Sequence, residues 1–247
     1  MSSRLAIAML GLQISIGALN DLVDAPLDAD RKPGKPIPRG AATPADARLI
    51  AVGGFVVAIL LTLPSGPGAV AVILACAACG YGYDLRLSRT AWSWLPLAVA
   101  LPLVPVYAWL GAAGGIPVGL LIVVPAGTLA GAGLALANAL ADIDRDRAAG
   151  AASAAVRLGP ARTWLLQAGL LAAAIAILLV APAGLGGGPR RVDGIAAISV
   201  VGIVGLAVGV ILGREGGAAR RERAWELEAI GVALVAAGWL SGLLAPG

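Results

Sequence analysis

Asn20, Asp24 and Asp28 stand four residues apart, and Asn138, Asp142 and Asp146 repeat the same residue types at the same spacing. Positions i, i+4 and i+8 fall on one face of a helix, so each triplet presents two carboxylates and an amide in one direction. Carboxylates stacked in this way repel one another and contribute nothing to the stability of a fold. Hard divalent cations resolve the repulsion: Mg²⁺ is usually held by one or two carboxylates, with phosphate oxygens and water completing its shell. Two such clusters facing each other would hold two or more ions around a diphosphate. Lys32, Lys35 and Arg39 flank the first cluster and are placed to reach the remaining phosphate oxygens. The plain alternative is a pair of solvated loops with helix-end asparagines. The repetition of the whole pattern argues against it.

These groups belong to a chain of 247 residues that is 59% hydrophobic and 13% charged, with a mean hydropathy of +0.90. Soluble globular proteins carry roughly 25% charged residues. Apolar runs recur along the whole chain, and several reach the ~20 residues that a bilayer-spanning helix needs. The reading is an all-α, polytopic transmembrane bundle of about eight helices, at 4–24, 46–63, 68–84, 93–111, 116–141, 161–182, 192–212 and 225–244. Length gives no reason to divide it, so residues 1–247 are read as one domain. The 35 glycines suit close helix–helix approach. Residues 1–19 have the look of a cleavable leader, but cleavage near Ala18 would fall directly beside the polar segment, so 4–20 is read as the first span. Cys76 and Cys79 lie in an apolar helix, and the chain has no histidine, so they are read as small buried residues. The missing histidine also excludes His-based triads and His proton relays.

Alternate connections carry the charge. Residues 25–45, 85–92, 142–160 and 213–224, with the adjoining helix ends, hold fifteen of the eighteen cations. By the positive-inside rule that face is cytoplasmic, which places the motif loops on the cytoplasmic side of what is expected to be a bacterial inner membrane. Thirteen of the fourteen acids gather there too, all but Asp193. Orientation does not need them, so they ask for a separate explanation. Pro26 removes one backbone hydrogen bond and bends a helix interior. The first helix is therefore expected to break near Asp24, leaving Asp28 on a turn.

The residues resemble the UbiA family of intramembrane prenyltransferases. Its first signature, N-D-x-x-D-x-x-x-D, is matched by Asn20, Asp21, Asp24 and Asp28, and the basic Pro-Ile-Pro element that follows by "KPGKPIPRG". Its second, D-x-x-x-D in a string ending V-R-L-G, is matched by "ADIDRDRAAGAASAAVRLG" at 141–159, and "YGYDLRLSRT" is similar to a tyrosine-and-basic segment of the family. The resemblance implies nine helices around a central cavity, and transfer of a prenyl chain from a prenyl diphosphate with Mg²⁺ as cofactor. Carried over by position, Asn20, Asp24, Asp28, Asn138, Asp142 and Asp146 would face the Mg²⁺–diphosphate group, with the four aspartates as the catalytic set. Lys32, Lys35, Arg39, Arg147 and Arg157 would meet the diphosphate. Asp21, Tyr83, Asp84 and Arg86 are candidates for acceptor or diphosphate contacts; Asp21 points roughly 100° away from Asn20 and ranks lower. Asp144 lies between the motif positions and is expected to face outward. Two departures stand out: the family's N-terminal helix is missing from the eight spans counted, and Ala151 stands where the family often has lysine.

The expected partners are a prenyl diphosphate donor, an acceptor and the lipid bilayer, with no nucleic acid. On base rate within the family, the acceptor is an aromatic quinone-type precursor; a lipid, glycerol-phosphate or sugar-phosphate acceptor comes next. CDP-alcohol phosphotransferases, also metal-dependent, keep their aspartates in one contiguous run containing D-G-x-x-A-R, which is absent here. A non-enzymatic ion-binding transporter would scatter its acids at mid-depth across several helices. Here they gather at one face.

Overall fold

The structure, a computed structural model, describes residues 2–31, 33–180 and 189–243. Among them are ten α-helices: α1 Ser2–Arg31, α2 Pro44–Thr62, α3 Pro67–Gly82, α4 Leu95–Ala113, α5 Leu120–Ala141, α6 Ile143–Ala148, α7 Ala154–Leu158, α8 Pro160–Val180, α9 Pro189–Arg214 and α10 Ala218–Leu243. Eight are long and apolar enough to cross a membrane, so the chain is an integral membrane protein built on helices, as its apolar runs require.

Local sequence explains where these helices start. The Thr43 hydroxyl accepts from the Asp46 amide at 3.1 Å, and the Asp46 carboxylate accepts from the Thr43 amide at 2.8 Å. This reciprocal cap, with Pro44 at the first helical position, fixes the start of α2. Pro67 does the same for α3 after Gly66, whose φ of +88° lets the chain reverse.

Contacts divide the chain into two compact units, Met1–Ser88 with Leu103–Ile116, and Arg89–Pro102 with Pro117–Gly247. In the first, Leu5, Ala8 and Leu12 of α1 pack with Ala58, Ile73, Cys76 and Tyr107. Helices α1 and α2 cross at Gly11 and Gly54, where a Cβ on Gly54 would stand 2.6 Å from the Gly11 carbonyl oxygen. The Thr62 and Tyr107 hydroxyls share a hydrogen bond of 2.8 Å, and Arg4 donates to Ser65 at 2.7 Å. In the second unit, Leu134, Leu171 and Leu206 form a core cluster. Helices α9 and α10 cross at Gly202 and Gly231, and each glycine stands where a Cβ would meet the other's carbonyl at 2.7 Å. Small residues thus set both crossings, as membrane helices need.

Two expectations change. Helix α1 does not break near Asp24: it runs unbroken through Pro26 to Arg31. The ring of Pro26 lies on the exposed side, so the cost is limited to one absent donor and the steric fit of the ring. Helix α10 starts at Ala218 rather than 225, taking Arg220, Arg221 and Arg223 into its first turns. The expected end of the sixth span at 182 lies outside the described residues.

Candidate functional site

The continuity of α1 decides the geometry of the first cluster. Because the helix persists, Asn20, Asp24 and Asp28 keep their common face, and Asp28 is only 7% exposed. Asn20 is the hub. Its Nδ2 donates to Asp24 Oδ2 at 3.2 Å and to Asp84 Oδ1 at 3.1 Å, while its Oδ1 accepts from Lys35 Nζ at 3.3 Å. Lys35 also pairs with Asp21 Oδ1 at 3.0 Å and Asp28 Oδ2 at 2.7 Å. Asp21 thus joins the cluster through Lys35, which it shares with Asp28, seven residues on and two helical turns along the same side. Burial works against the charge on Lys35, and its hydrogen bonds and Coulomb attraction to Asp28 and Asp21 more than offset it, holding its pKa above the usual lysine value.

Asp84 arrives from α3. Beyond Gly82 the helix widens into a π-helical turn, Tyr83–Leu87, closed by the Ser88 amide donating to the Tyr83 carbonyl at 2.9 Å. Such bulges recur at functional sites because they re-aim a side chain. Here Asp84 is 6% exposed, and its Oδ2 is buried with no hydrogen-bond partner among the described residues.

The second cluster is built differently. Asp142 interrupts the helix with φ −93° and ψ 2°, separating α5 from α6. The i to i−4 bonds nevertheless continue across it: the Asp142 amide donates to Asn138 at 3.1 Å and the Asp146 amide to Asp142 at 2.8 Å. The three side chains therefore stay roughly in line. Asp142 pairs with Arg145, three residues on, a partner that sequence reasoning passed over although the spacing permits it. After Asp146 the chain folds back, with the Ala151 amide on the Asp146 carbonyl at 2.9 Å and the Ala152 amide on the Arg89 carbonyl at 3.0 Å. Burial raises the pKa of Asp146, opposed by the Ser153 hydroxyl, and the charge of Asp142 adds to the rise against Arg145 and Arg89.

The remaining candidates are less engaged. Asp144 is exposed, as expected, and pairs with Arg147 at 3.4 Å and Arg221 at 3.5 Å. Arg39, Arg86 and Arg157 are exposed and, among the described residues, make no ion pair with the cluster carboxylates. Tyr83 opens the turn that carries Asp84. Lys32 lies outside the described residues. Among the described residues no three acidic or sulfur side chains stand close enough to chelate one ion. In the first cluster it is the Lys35 ammonium that meets the oxygens of Asp21, Asp28 and Asn20. Sequence reasoning also missed Glu228, fully buried in α10, where Gln167 Nε2 donates to it at 3.2 Å. Glu228 stands at the edge of the last apolar run, two residues after Glu226 and six after Glu222, so nothing in the sequence sets it apart from its acidic neighbours.

The model of the UbiA prenyltransferase family matches residues 2–233. The chain belongs to the UbiA prenyltransferase family. Over 62 residues it is 40% identical to the digeranylgeranylglyceryl phosphate synthase of Natronomonas pharaonis, a match covering 24% of this chain and 22% of that protein. The fold is similar to the apo structure of a UbiA homolog from Aeropyrum pernix K1, at TM-score 0.71 and 21% identity over 96% of this chain and 88% of that one. It is equally similar to a UbiA homolog from Archaeoglobus fulgidus bound to GPP and Mg²⁺, at TM-score 0.71 and 18% identity over 99% of this chain and 88% of that one. At these identities the structures speak to the fold, and they agree with the helical bundle expected of the sequence.

Proposed function

We propose that this family member transfers a prenyl group from a prenyl diphosphate to an acceptor at the membrane, using Mg²⁺ held by its two aspartate clusters. The observation that carries this reading is the first cluster, where Asp21, Asp24, Asp28 and Asp84 gather about one asparagine and one lysine. The donor set is made of hard oxygens, and Asp84 Oδ2 is buried and, among the described residues, unpartnered, so the residues present suit Mg²⁺. In the first cluster Asn20, Asp24 and Asp28, with Asp84 added, would hold it, and in the second Asn138, Asp142 and Asp146. When bound, Mg²⁺ neutralises charge on the departing diphosphate.

The chain's own residues supply the rest. Lys35 and the exposed Arg39 beside the first cluster, and the exposed Arg147 and Arg157 beside the second, offer positive charge to phosphate oxygens. Asn20 orients Asp24 and Asp84 through the two hydrogens of its amide, so that both carboxylates are held in place without reorganisation. The apolar helices house the prenyl tail and keep water from the reactive allylic carbon. The cation bias of the alternate connections supports a cytoplasmic position for both clusters and an inner-membrane location in a bacterium.

For the acceptor, the match to a digeranylgeranylglyceryl phosphate synthase favours a glyceryl-phosphate alcohol over an aromatic quinone precursor. The test is transfer from radiolabelled geranylgeranyl diphosphate to a glyceryl-phosphate lipid and, in parallel, to a hydroxybenzoate, by protein purified in detergent. Product is expected with Mg²⁺ and not with EDTA, and is lost in Asp24→Asn and in Asp142→Asn. Undiminished product in both variants would sink the two-cluster reading. Product with the hydroxybenzoate alone would reassign the acceptor.

A further inference from the structure

We propose that Lys35 is a built-in counter-ion of the first acidic cluster, filling the cation's place and handing its carboxylates over when a metal–diphosphate complex arrives. The inference rests on the metal-binding reading of that cluster and adds a coupling to it: metal and diphosphate load together.

An ammonium has three donors and no acceptor. Lys35 Nζ meets three oxygens from three residues, Asp28 Oδ2 at 2.7 Å, Asp21 Oδ1 at 3.0 Å and Asn20 Oδ1 at 3.3 Å. Its full donor capacity is thus spent on the cluster. A compact ammonium is a point charge at the end of a flexible stem, and so stands in for a metal ion better than a planar guanidinium does. Its stem rises from the turn after α1, where the Arg39 amide donates to the Lys35 carbonyl at 3.1 Å, so the side chain can swing without disturbing a helix.

The charge count shows why one lysine is a holding arrangement. Among the described residues three carboxylates, Asp21, Asp28 and Asp84, share this one ammonium, and Asp28 and Asp84 are buried. Buried carboxylates need compensation, and one positive charge leaves these three net negative. A divalent ion serves them better, and the ammonium already occupies oxygens of Asp28, Asp21 and Asn20. A metal that takes Asp28 and Asp21 as ligands displaces Lys35 from them. The displaced ammonium then needs new acceptors, which the oxygens of a diphosphate supply. Without diphosphate, the lysine competes with the metal; with diphosphate, it assists.

The test measures Mn²⁺ binding to the full chain in detergent, with and without inorganic pyrophosphate, with protein-free titrations correcting for free Mn²⁺–pyrophosphate complexes. Wild-type protein is compared with Lys35→Met, Lys35→Gln and Asp24→Asn. Both lysine variants are expected to bind Mn²⁺ alone at least about ten-fold tighter than wild type, the scale set by removing one nearby like charge at a half-buried site. Pyrophosphate is expected to tighten Mn²⁺ binding markedly in wild type and much less in either variant. Mn²⁺ affinity in Lys35→Met and Lys35→Gln equal to or weaker than wild type, alongside binding that Asp24→Asn abolishes, overturns the counter-ion role alone. Mn²⁺ binding that Asp24→Asn leaves intact overturns the metal-binding reading and the inference with it.

Discussion

Asn20 donates to Asp84 at 3.1 Å, so an amide on the first helix holds a carboxylate that follows the third, sixty-four residues on. Only one oxygen of Asp84 is used in this contact, and the other is buried and, among the described residues, unpartnered. Asp84→Asn keeps the size and the hydrogen bond to Asn20 while removing the charge. Metal affinity is expected to fall about 10–100-fold, the usual cost of losing a ligand-supporting partner at a metal site. The melting temperature should stay at or above the wild-type value. Unchanged Mn²⁺ binding would remove Asp84 from the cluster.

Asp146 makes a prediction with a defined sign. Burial, aided by Asp142, raises its pKa above the ordinary aspartate value. A raised folded-state pKa gives stability that is fully present below the unfolded pKa and is lost as pH rises through the folded one. At neutral pH the ionised group therefore costs stability in the metal-free protein. Asp146→Asn removes that cost, and in EDTA at pH 7 its melting temperature should exceed wild type by about 2 °C at a fixed scan rate. The gap should close as pH falls through the folded pKa. Prenyl transfer by the same variant should fall steeply. A lower melting temperature at pH 7 would contradict the assignment.

Much of this arrangement is legible in the sequence because membranes impose coarse rules. Apolar runs near 20 residues admit little besides helices, and the paired triplets announce their chemistry by spacing. What was not legible depended on single backbone decisions. Pro26 reads as a helix breaker, but a proline on an exposed side forfeits one hydrogen bond and the packing of α1 supplies the rest. Asp142 has neither proline nor glycine beside it, yet the helix breaks there and Arg145 takes up its carboxylate. The burial of Asp84 follows from a π-helical turn that no local pattern announces. Its partner Asn20 lies too far along the chain for periodicity to find.

Neighbouring glycines on α2 separate packing from propensity. A Cβ on Gly54 would stand 2.6 Å from the Gly11 carbonyl oxygen, whereas one on Gly53 would meet nothing within 4 Å. Gly54→Ala must push α1 and α2 apart, at a cost of about 1–3 kcal/mol typical of overpacking. Gly53→Ala gains helix propensity, up to about 1 kcal/mol. Thermal unfolding in detergent should show the first variant destabilised and the second equal to or above wild type. Equal losses in both would mean that the helices do not cross at Gly54.

Glu228 asks whether a buried intramembrane carboxyl serves shape or reaction. It is fully buried on α10 and accepts from Gln167 Nε2 at 3.2 Å, and a Cβ on Gly209 would lie 2.7 Å from its Cγ, so α9 has been cleared to admit it. Glu228→Gln preserves the volume and an accepting oxygen. Glu228→Ala leaves a void and an unpaired amide donor on Gln167, which together cost about 2–5 kcal/mol. If the role is packing, the glutamine variant should melt within a few degrees of wild type and retain most transfer activity, while the alanine variant loses stability and yield. The measurement is unfolding and prenyl transfer on the same preparations. Activity lost in Glu228→Gln with its melting temperature unchanged would instead make the carboxyl itself part of the chemistry.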